Sequence, residues 1–412
     1  MNSLPSAPQN NLCIGCGYCA RFDGVEMEKK PSGFLEPAAA PGAYSASDLG
    51  LIEKACSGVV GTSVAVASDS PAEDGLIKDH MWGQFYECLT GHSTDAAIRR
   101  HGSSGGVVSG IAAWLVETGE VDGVIVTGYD PAFPIGTKSF IAKDAAEGAG
   151  SGGSKYSPAS PLAALAEISD KPGSYAVVGK PCDIATLRRA QAAGDPVALK
   201  ATVLLSFYCA GTPGDRGNRE VLDYLGAGEA ESIREFRHRG NGWPGDTRAV
   251  TESGEEKTCT YNESWGKILR RHTHNLCTIC PDGIGEQADI VAADAWYGDD
   301  DGYPQFEEAD GRSLIMTRTP RGRDLLARAV AEGKFATEEL PVREIDRMQP
   351  GQLKRRKELA MRVMAFRMFG KATPKYNSQA LRQYQRGMSG KDKVKILFGT
   401  IRRIVRVMIR RS

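Results

Sequence analysis

Cysteine is the residue type with the clearest chemistry in this 412-residue chain, and eight of its ten cysteines sort into two sets of four. Cys13, Cys16 and Cys19 stand in C-I-G-C-G-Y-C, and Cys56 follows in K-A-C-S-G. A C-x2-C-x2-C run puts three thiolates in one tight loop, which suits three corners of a [4Fe–4S] cluster closed by a remote fourth cysteine. Gly15 and Gly17 let the backbone curl and turn its N–H groups toward the sulfurs. Bacterial ferredoxins end such a run in C-P, whereas Cys19 is followed by Ala20. The rival reading is a four-cysteine zinc site, which usually uses two separated C-x2-C pairs. The second set is scattered: Cys182 in G-K-P-C-D, Cys209 in F-Y-C-A-G, and Cys277 with Cys280 in L-C-T-I-C-P-D. Its rival reading is four separate buried thiols, since free cysteine is often a small core residue. Cys88 and Cys259 have no partner at suitable spacing and read as structural.

The elements around the second set explain how it could converge. Ser174 to Val178 reads as a strand, Asp183 to Ala193 as a helix and Ala198 to Tyr208 as the next strand, a βαβ unit. Cys182 and Cys209 then both follow parallel strands and share the carboxyl edge of the sheet, where open α/β sheets bind ligands. Cys182 also opens a helix, whose N-terminus favours a thiolate or an anionic cluster. A further strand, Ala288 to Val291, follows the Cys277/Cys280 loop, and residues 312–349 read as a strand, a helix and short closing elements.

Several polar motifs accompany the cysteines. His101-Gly102-Ser103-Ser104-Gly105-Gly106 enters an apolar helical stripe (Val107, Val108, Ile111, Leu115, Val116) that Gly119 ends, with a strand from Val121 to Thr127 beyond. Free N–H groups there could cradle a phosphate; the plainer reading is a helix cap with glycines for close packing. Lys155 follows the glycines of a Gly/Ser-rich stretch, Ala145 to Ser160, which reads as a mobile loop or lid, and Lys180 precedes Cys182. Each lysine suits a cofactor phosphate or an anionic flavin, or is simply a solvated surface residue. Gly240-Asn241-Gly242-Trp243-Pro244-Gly245 spells G-x-G-x-x-G, but no clear strand precedes it and Pro244 breaks the required helix, so a Rossmann site is rejected. Its flank, Phe236 to Arg239, together with Trp243, suits the lining of a polar or aromatic ligand. Asp282, Asp289 and Asp294 stand around the second cysteine loop, with turn and cap roles as ready as proton transfer. His101 and Asp294 are the nearest to a substrate acid or base, and nothing singles them out as catalytic.

Composition bounds the rest. Apolar content of 41% allows a large core, and the length suggests two or three domains. Met1 to Asn11 is polar, so no signal peptide is visible, and no apolar run reaches membrane-span length. The cysteines therefore belong in a reducing compartment, the cytoplasm by default. Lys and Arg balance Asp and Glu at 51 each, yet residues 351–412 carry 18 of the former and 2 of the latter, leaving +16 on the tail and −16 on residues 1–350. Such a tail implies an anionic partner. Within it, Gly370 to Pro374 breaks an otherwise helical pattern, and Lys391 to Arg411 alternates basic and apolar residues. Val394, Leu397, Phe398, Ile401, Val405 and Met408 fall on one helical face, with Arg402, Arg403, Arg406 and Arg410 on the remaining arc. This fits a helix lying on an anionic membrane surface, or one docked on the acidic body or on a partner protein. Little aromatic interleaving argues against nucleic acid.

These pieces together resemble the coenzyme F420 hydrogenase/dehydrogenase beta-subunit family, which includes 7-hydroxymethyl chlorophyll a reductase-like proteins. The resemblance covers about residues 10–350 and rests on C-I-G-C-G-Y-C, S-S-G-G-V-V with V-D-G-V-I-V, G-K-P-C-D-I, F-R-H-R-G-N-G-W-P-G and C-T-I-C-P-D-G-I-G-E-Q-A-D-I-V-A-A-D-A-W. It implies an iron–sulfur flavoprotein oxidoreductase carrying FAD and two [4Fe–4S] clusters, one on each cysteine set. It also implies flavin contacts at Ser103, Ser104, Gly105, Gly106, Lys155, Lys180 and Asn241. The partner would be a redox carrier, F420 or ferredoxin, or another oxidoreductase subunit in an oligomeric assembly. Two readings compete: an electron-transfer subunit that is not itself catalytic, and a zinc protein binding nucleic acid through its tail. The expected fold is α/β: an iron–sulfur segment (1–80), a flavin-binding α/β domain carrying the second iron–sulfur site (81–350) and a basic helical tail (351–412).

Overall fold

The computed structural model describes residues 5–61, 75–296, 298, 307–376 and 378–409. An eight-stranded mixed sheet organises the chain, built from β1 (Glu87–Ser93), β2 (Gly123–Asp130), β3 (Phe133–Ala142), β4 (Tyr175–Gly179), β5 (Ala201–Phe207), β6 (Ile290–Asp294), β7 (Ser313–Thr317) and β8 (Phe335–Glu339). Their order across the sheet is β8-β1-β7-β6-β5-β4-β2-β3. Strands β2, β4, β5 and β6 run parallel, and every other neighbouring pair is antiparallel. The central strands are near-continuous runs of Val, Ile, Leu and Ala because both of their faces are covered.

Seven helices among the described residues reach ten or more residues: α1 (Ala46–Ala55), α2 (Val107–Glu117), α3 (Pro181–Ala192), α4 (Asp215–Leu225), α5 (Pro320–Ala331), α6 (Pro350–Met368) and α7 (Gly390–Ile409). Alternate residues of the sheet serve the two faces, as strand geometry requires. On one face Val124, Val203 and Ile290 pack with Ile111 and Leu115 of α2 and Leu325 of α5. On the other, Ile125, Val177 and Leu204 meet Ile184 and Leu187 of α3, the 3-10 helix Pro161–Ile168 and the N-terminal segment. A three-stranded antiparallel sheet (Ile233–Arg237, Thr247–Thr251, Glu256–Cys259) stands beside the main one.

The βαβ unit forms as expected. Pro181 occupies the first turn of α3, where its missing N–H costs nothing, and the Lys180 N–H donates to Asp183 Oδ2 at 3.0 Å. The stretch expected as a mobile loop is different: Asp144 caps a short helix, Ala145–Gly150. Beyond it, Ser154 is pinned by a 2.7 Å Oγ–Oγ hydrogen bond to Ser103 and by Tyr129 Oη donating to its carbonyl at 3.2 Å. Cys88 and Cys259 are buried at the ends of strand pairings, in keeping with structural roles.

The tail folds back onto the body. Leu359, Val363 and Phe366 of α6 join the core that contains the cysteine segment, and Ile404 of α7 is buried against it with Leu397 and Ile401 partly covered. Val394, Phe398 and Val405 remain exposed, so the single apolar stripe read from the sequence divides between packing and solvent. The side chains of Arg406 and Met408, and all of Arg410, lie outside the described residues.

Candidate redox centre

The first cysteine set converges. Cys13, Cys16, Cys19 and Cys56 line one internal cavity of about 20 Å³ with Met27, Ile52 and Thr186. Gly15 (φ 69°) and Gly17 (φ 84°) adopt the left-handed conformation that bends this loop. A side chain at Gly17 would also strike the Ala163 backbone nitrogen at 2.8 Å, so the glycine is required twice. The loop is tied to the 3-10 helix Pro161–Ile168 by Ser160 Oγ donating to Gly15 O (2.7 Å) and Leu162 N–H donating to Cys16 O (2.9 Å).

The second set gathers at the carboxyl edge of the parallel strands. Cys182 opens α3 after β4, and Cys209 follows β5. Cys277 and Cys280 come from the loop beside them, where the Thr212 N–H donates to Cys277 Sγ at 3.5 Å and the Cys209 N–H to Gly283 O at 2.8 Å. Burial pushes Cys209 up to about 11 and Cys280 up to about 12, with the neighbouring thiols adding to the rise. Cys19 is likewise pushed up to about 12, chiefly by burial and then by Cys56. Lys180 and Arg355 act in the opposite direction on Cys209 and Cys277. Among the described residues, no three His, Cys, Asp or Glu side chains gather closely enough to hold a single metal ion.

A cavity of about 290 Å³ crosses the carboxyl ends of β2, β4, β5 and β6. Ser103, Ser104, Gly106, Lys155 and Lys180 line it; Gly105 and Asn241 do not. Gly105 sits behind the wall, where its N–H donates to Ser313 Oγ at 3.0 Å and an added Cβ would lie 2.6 Å from Gly91 O. Asn241 is exposed, with φ 59°. Lys180 pairs with Asp183 at 2.8 Å. Lys155 is held by the carbonyl oxygens of Ser151 and Gly152, and burial, then Arg237, lowers it to about 7. Cys209, Ala210, Gly211 and Thr212 form one wall of the same cavity, so the second cysteine set reaches it through Cys209, while Cys182, Cys277 and Cys280 lie outside the lining.

The lining also contains residues to which the sequence alone assigned no role or only a general one. Arg239, 2% exposed, makes two 3.0 Å contacts to the Asp294 carboxylate, and Trp243 Nε1 donates to the same carboxylate at 2.8 Å. Trp243 itself lies outside the lining and stacks on Trp296 with ring centroids 4.8 Å apart, and the Arg239 guanidinium lies 4.7 Å from the Tyr261 ring centre. Asp294 thus fixes the aromatic wall; its oxygens are taken by donors rather than poised for proton transfer. His101 is not on the wall: its Nε2 lies 3.3 Å from Gly150 O. The Gly240 to Gly245 segment supplied the misleading motif, while its neighbour Arg239 is what reaches the cavity.

Known proteins resemble this chain in sequence and fold. Two family models, describing the amino-terminal and carboxy-terminal parts of the coenzyme F420 hydrogenase/dehydrogenase beta subunit, match residues 88–167 and residues 173–342 respectively. The chain is 24% identical over 278 residues to the coenzyme F420 hydrogenase subunit beta of Methanosarcina barkeri, covering 66% of this chain and 87% of the relative. It is 26% identical over 273 residues to the protein of the same name from Methanothermobacter thermautotrophicus (64% and 87% covered). It is 28% identical over 273 residues to the coenzyme F420-dependent sulfite reductase of Methanocaldococcus jannaschii, covering 62% of this chain but 38% of that enzyme. A chain in a structure of the F420-reducing [NiFe] hydrogenase complex from Methanosarcina barkeri shares the fold, with a TM-score of 0.58, 21% identity and coverage of 74% of this chain and 99% of that one. The two matched regions span nearly all of the main sheet and all four cysteines of the second set, and this chain belongs to the coenzyme F420 hydrogenase/dehydrogenase beta-subunit family.

Proposed function

We propose that this chain is an iron–sulfur flavoprotein oxidoreductase that passes electrons between two [4Fe–4S] clusters, FAD and a carrier, F420 or ferredoxin, or a small substrate. The observation that carries the reading is the shared wall: the Cys209 to Thr212 segment belongs both to the second cysteine set and to the 290 Å³ cavity. Bound there, FAD would supply the step between two-electron and one-electron chemistry. The donor sets fit the groups. In the first set four thiolates spread around a void suit the corners of a cubane better than one tetrahedral ion, and among the described residues neither set gathers three donors closely enough for a single ion. Cys13, Cys16, Cys19 and Cys56 would hold the first cluster; Cys182, Cys209, Cys277 and Cys280 the second.

The chain's own residues have definite work. Ser103, Ser104 and Gly106 would offer hydroxyls and backbone to the flavin, with Gly105 keeping their turn close to β1 and β7. Lys155 would meet a phosphate and Lys180 would hold positive charge between the cavity and Cys182. Asn241, outside the lining, would reach the flavin only at its outer end. The stacked Trp243 and Trp296 and the Arg239–Asp294 pair would exclude water from one side. A cavity with aromatic residues in its wall favours an enzyme over the competing reading of a relay protein feeding a partner oxidoreductase.

The three-part division at residues 80 and 350 remains part of this reading, with the tail given a separate role. No helix among the described residues is long and apolar enough to cross a membrane. The exposed outer side of α7 carries Lys391, Val394, Lys395, Phe398, Arg402 and Val405, cations alternating with apolar groups. This alternation suits an anionic lipid surface, and that occupant is proposed for it, on a protein proposed to be otherwise cytoplasmic.

Anaerobic purification with iron, sulfide and flavin quantitation tests the whole reading. About eight iron and one flavin per chain are expected, at four iron per cubane. About four iron would remove one set, and zinc without flavin would end the redox interpretation.

A further inference from the structure

The tail does more than cover the body, because its contacts single out the second cysteine set. The Gln352 side-chain amide and Arg355 Nη1 both donate to the carbonyl oxygen of Cys209, at 3.0 and 2.9 Å, and Arg355 Nη2 donates to that of Ala210. Arg362 donates to Thr278 O at 3.1 Å, and Tyr376 Oη to Ile279 O at 2.7 Å. The Cys209 segment and the Cys277/Cys280 loop are therefore both held from one side by residues 350–376. This stretch lies beyond residue 342, where the family match ends.

The charges in that strap are not equivalent. Arg356 is paired with Glu286 and Arg362 with Glu358. Lys180, the other cation that acts on Cys209, is paired with Asp183. Arg355 is half-buried, and among the described residues it has no carboxylate partner; its hydrogen bonds end on backbone carbonyls. A whole positive charge thus rests beside Cys209, with Cys277 and Cys280 also within its electrostatic reach.

We propose that residues 350–376 form a strap that sets the reduction potential of the second iron–sulfur site, with Arg355 as its unneutralised charge. This rests on the two-cluster reading above. One electron from the reduced carrier or flavin enters the site, no bond is made or broken, and a four-thiolate cubane goes from a net charge of about −2 to about −3. A fixed cation in a half-buried place favours the more negative state and so raises the potential. The strap thereby makes the site beside the cavity a better electron acceptor than it would be without Arg355.

The test is a potentiometric titration of the anaerobically prepared full-length holoprotein, followed by electron paramagnetic resonance, for wild type, R355Q and R355K. In R355Q one of the two cluster signals moves to more negative potential and the other stays in place; R355K, which retains the charge, stays near wild type. Both signals unmoved in R355Q, or R355K moving as far as R355Q, overturns the proposal. Should R355Q lose iron, A210E keeps Arg355 and sets a carboxylate next to it from an exposed position. The same signal must then move negative, and a signal that stays put overturns the proposal. Wild-type protein with no cluster signal would instead defeat the two-cluster reading itself.

Discussion

Ser57 Oγ donates to the carbonyl oxygen of Cys182 at 2.7 Å. Ser57 is the residue after Cys56, so one hydrogen bond ties the neighbour of the first set's last cysteine to the first cysteine of the second. The same hydroxyl lies 2.8 Å from Thr186 Oγ1 and accepts from Arg189 Nη2 at 2.6 Å, while Arg189 Nε reaches Ala55 O at 2.8 Å. Cys182, Thr186 and Arg189 all belong to α3, which stands between the two sets and holds them at fixed separation. An electron passing from one set to the other would have this buried contact as a covalent and hydrogen-bonded route.

Replacing Ser57 by Ala leaves the Arg189 guanidinium and the Cys182 carbonyl without this partner. A loss of about 1–3 kcal/mol in denaturant unfolding is expected, the usual cost of an abandoned buried polar group. Iron content should stay at about eight per chain, because no ligand is removed. Iron falling to zero in this variant would mean that the contact is needed for assembly, not only for spacing.

Cys280→Ser removes one thiolate of the second set. Iron should fall to about four per chain with the first-set spectrum preserved, at four iron per cubane. Full iron retention would take Cys280 off the ligand set.

Lys155 gives the cavity a pH dependence. Its folded value near 7 lies far below that of a free lysine, because burial and Arg237 oppose its charge. In the unfolded chain it stays protonated up to its ordinary range, so this residue's contribution to folding stability rises with pH above about 7. Phosphate binding has the opposite sign. A phosphate favours the charged amine, so the dissociation constant of FAD should rise by up to about tenfold per pH unit once pH exceeds about 7. Titration of apoprotein with FAD across this range, followed by flavin fluorescence, checks it. Lys155→Met should bind more weakly and lose the slope; a slope that survives in Lys155→Met assigns it to another group.

Asp294→Asn strands the guanidinium of Arg239, which is 2% exposed. Breaking a buried pair from one side costs about 3–5 kcal/mol. Chemical denaturation followed by tryptophan fluorescence should show this loss, with altered native emission because Trp243 Nε1 would then donate to a neutral amide oxygen in place of a carboxylate. Wild-type stability would show that water replaces the carboxylate and that the cavity is wet on this side.

The outer side of α7 predicts selective lipid binding. Wild-type protein should sediment with phosphatidylcholine vesicles containing phosphatidylglycerol, less so at high salt, and not with phosphatidylcholine alone. Phe398→Glu changes a residue that is 64% exposed, so it should abolish sedimentation while leaving the fold and iron content intact. No sedimentation of the wild type would end the lipid reading, and self-association through this helix would appear instead as a concentration-dependent mass.

The order of residues alone made much of this legible. The spacing of Cys13, Cys16 and Cys19 forces a shared loop, and the alternation of apolar strand and amphipathic helix around Cys182 and Cys209 forces a βαβ unit with both cysteines on one edge. Ser103 to Gly106 and Lys155 could be placed near a ligand because small residues before a helix and a lysine after a Gly-rich stretch are local signals. Arg239 drew only a general reading from its flank and Trp296 none, since what matters for them is a pairing with Asp294 and Trp243 across more than about 50 positions.

The tail shows most clearly what sequence decides and what it leaves to the fold. Local spacing determined that residues 351–412 are helical, basic and amphipathic, because those properties depend on neighbours three and four positions apart. It could not determine which side of α7 is buried, nor that Arg355 rests on Cys209, 146 positions earlier. Such contacts depend on how layers pack against one another. The tertiary structure alone decided that the strongest concentration of positive charge in the chain begins against the second cysteine set.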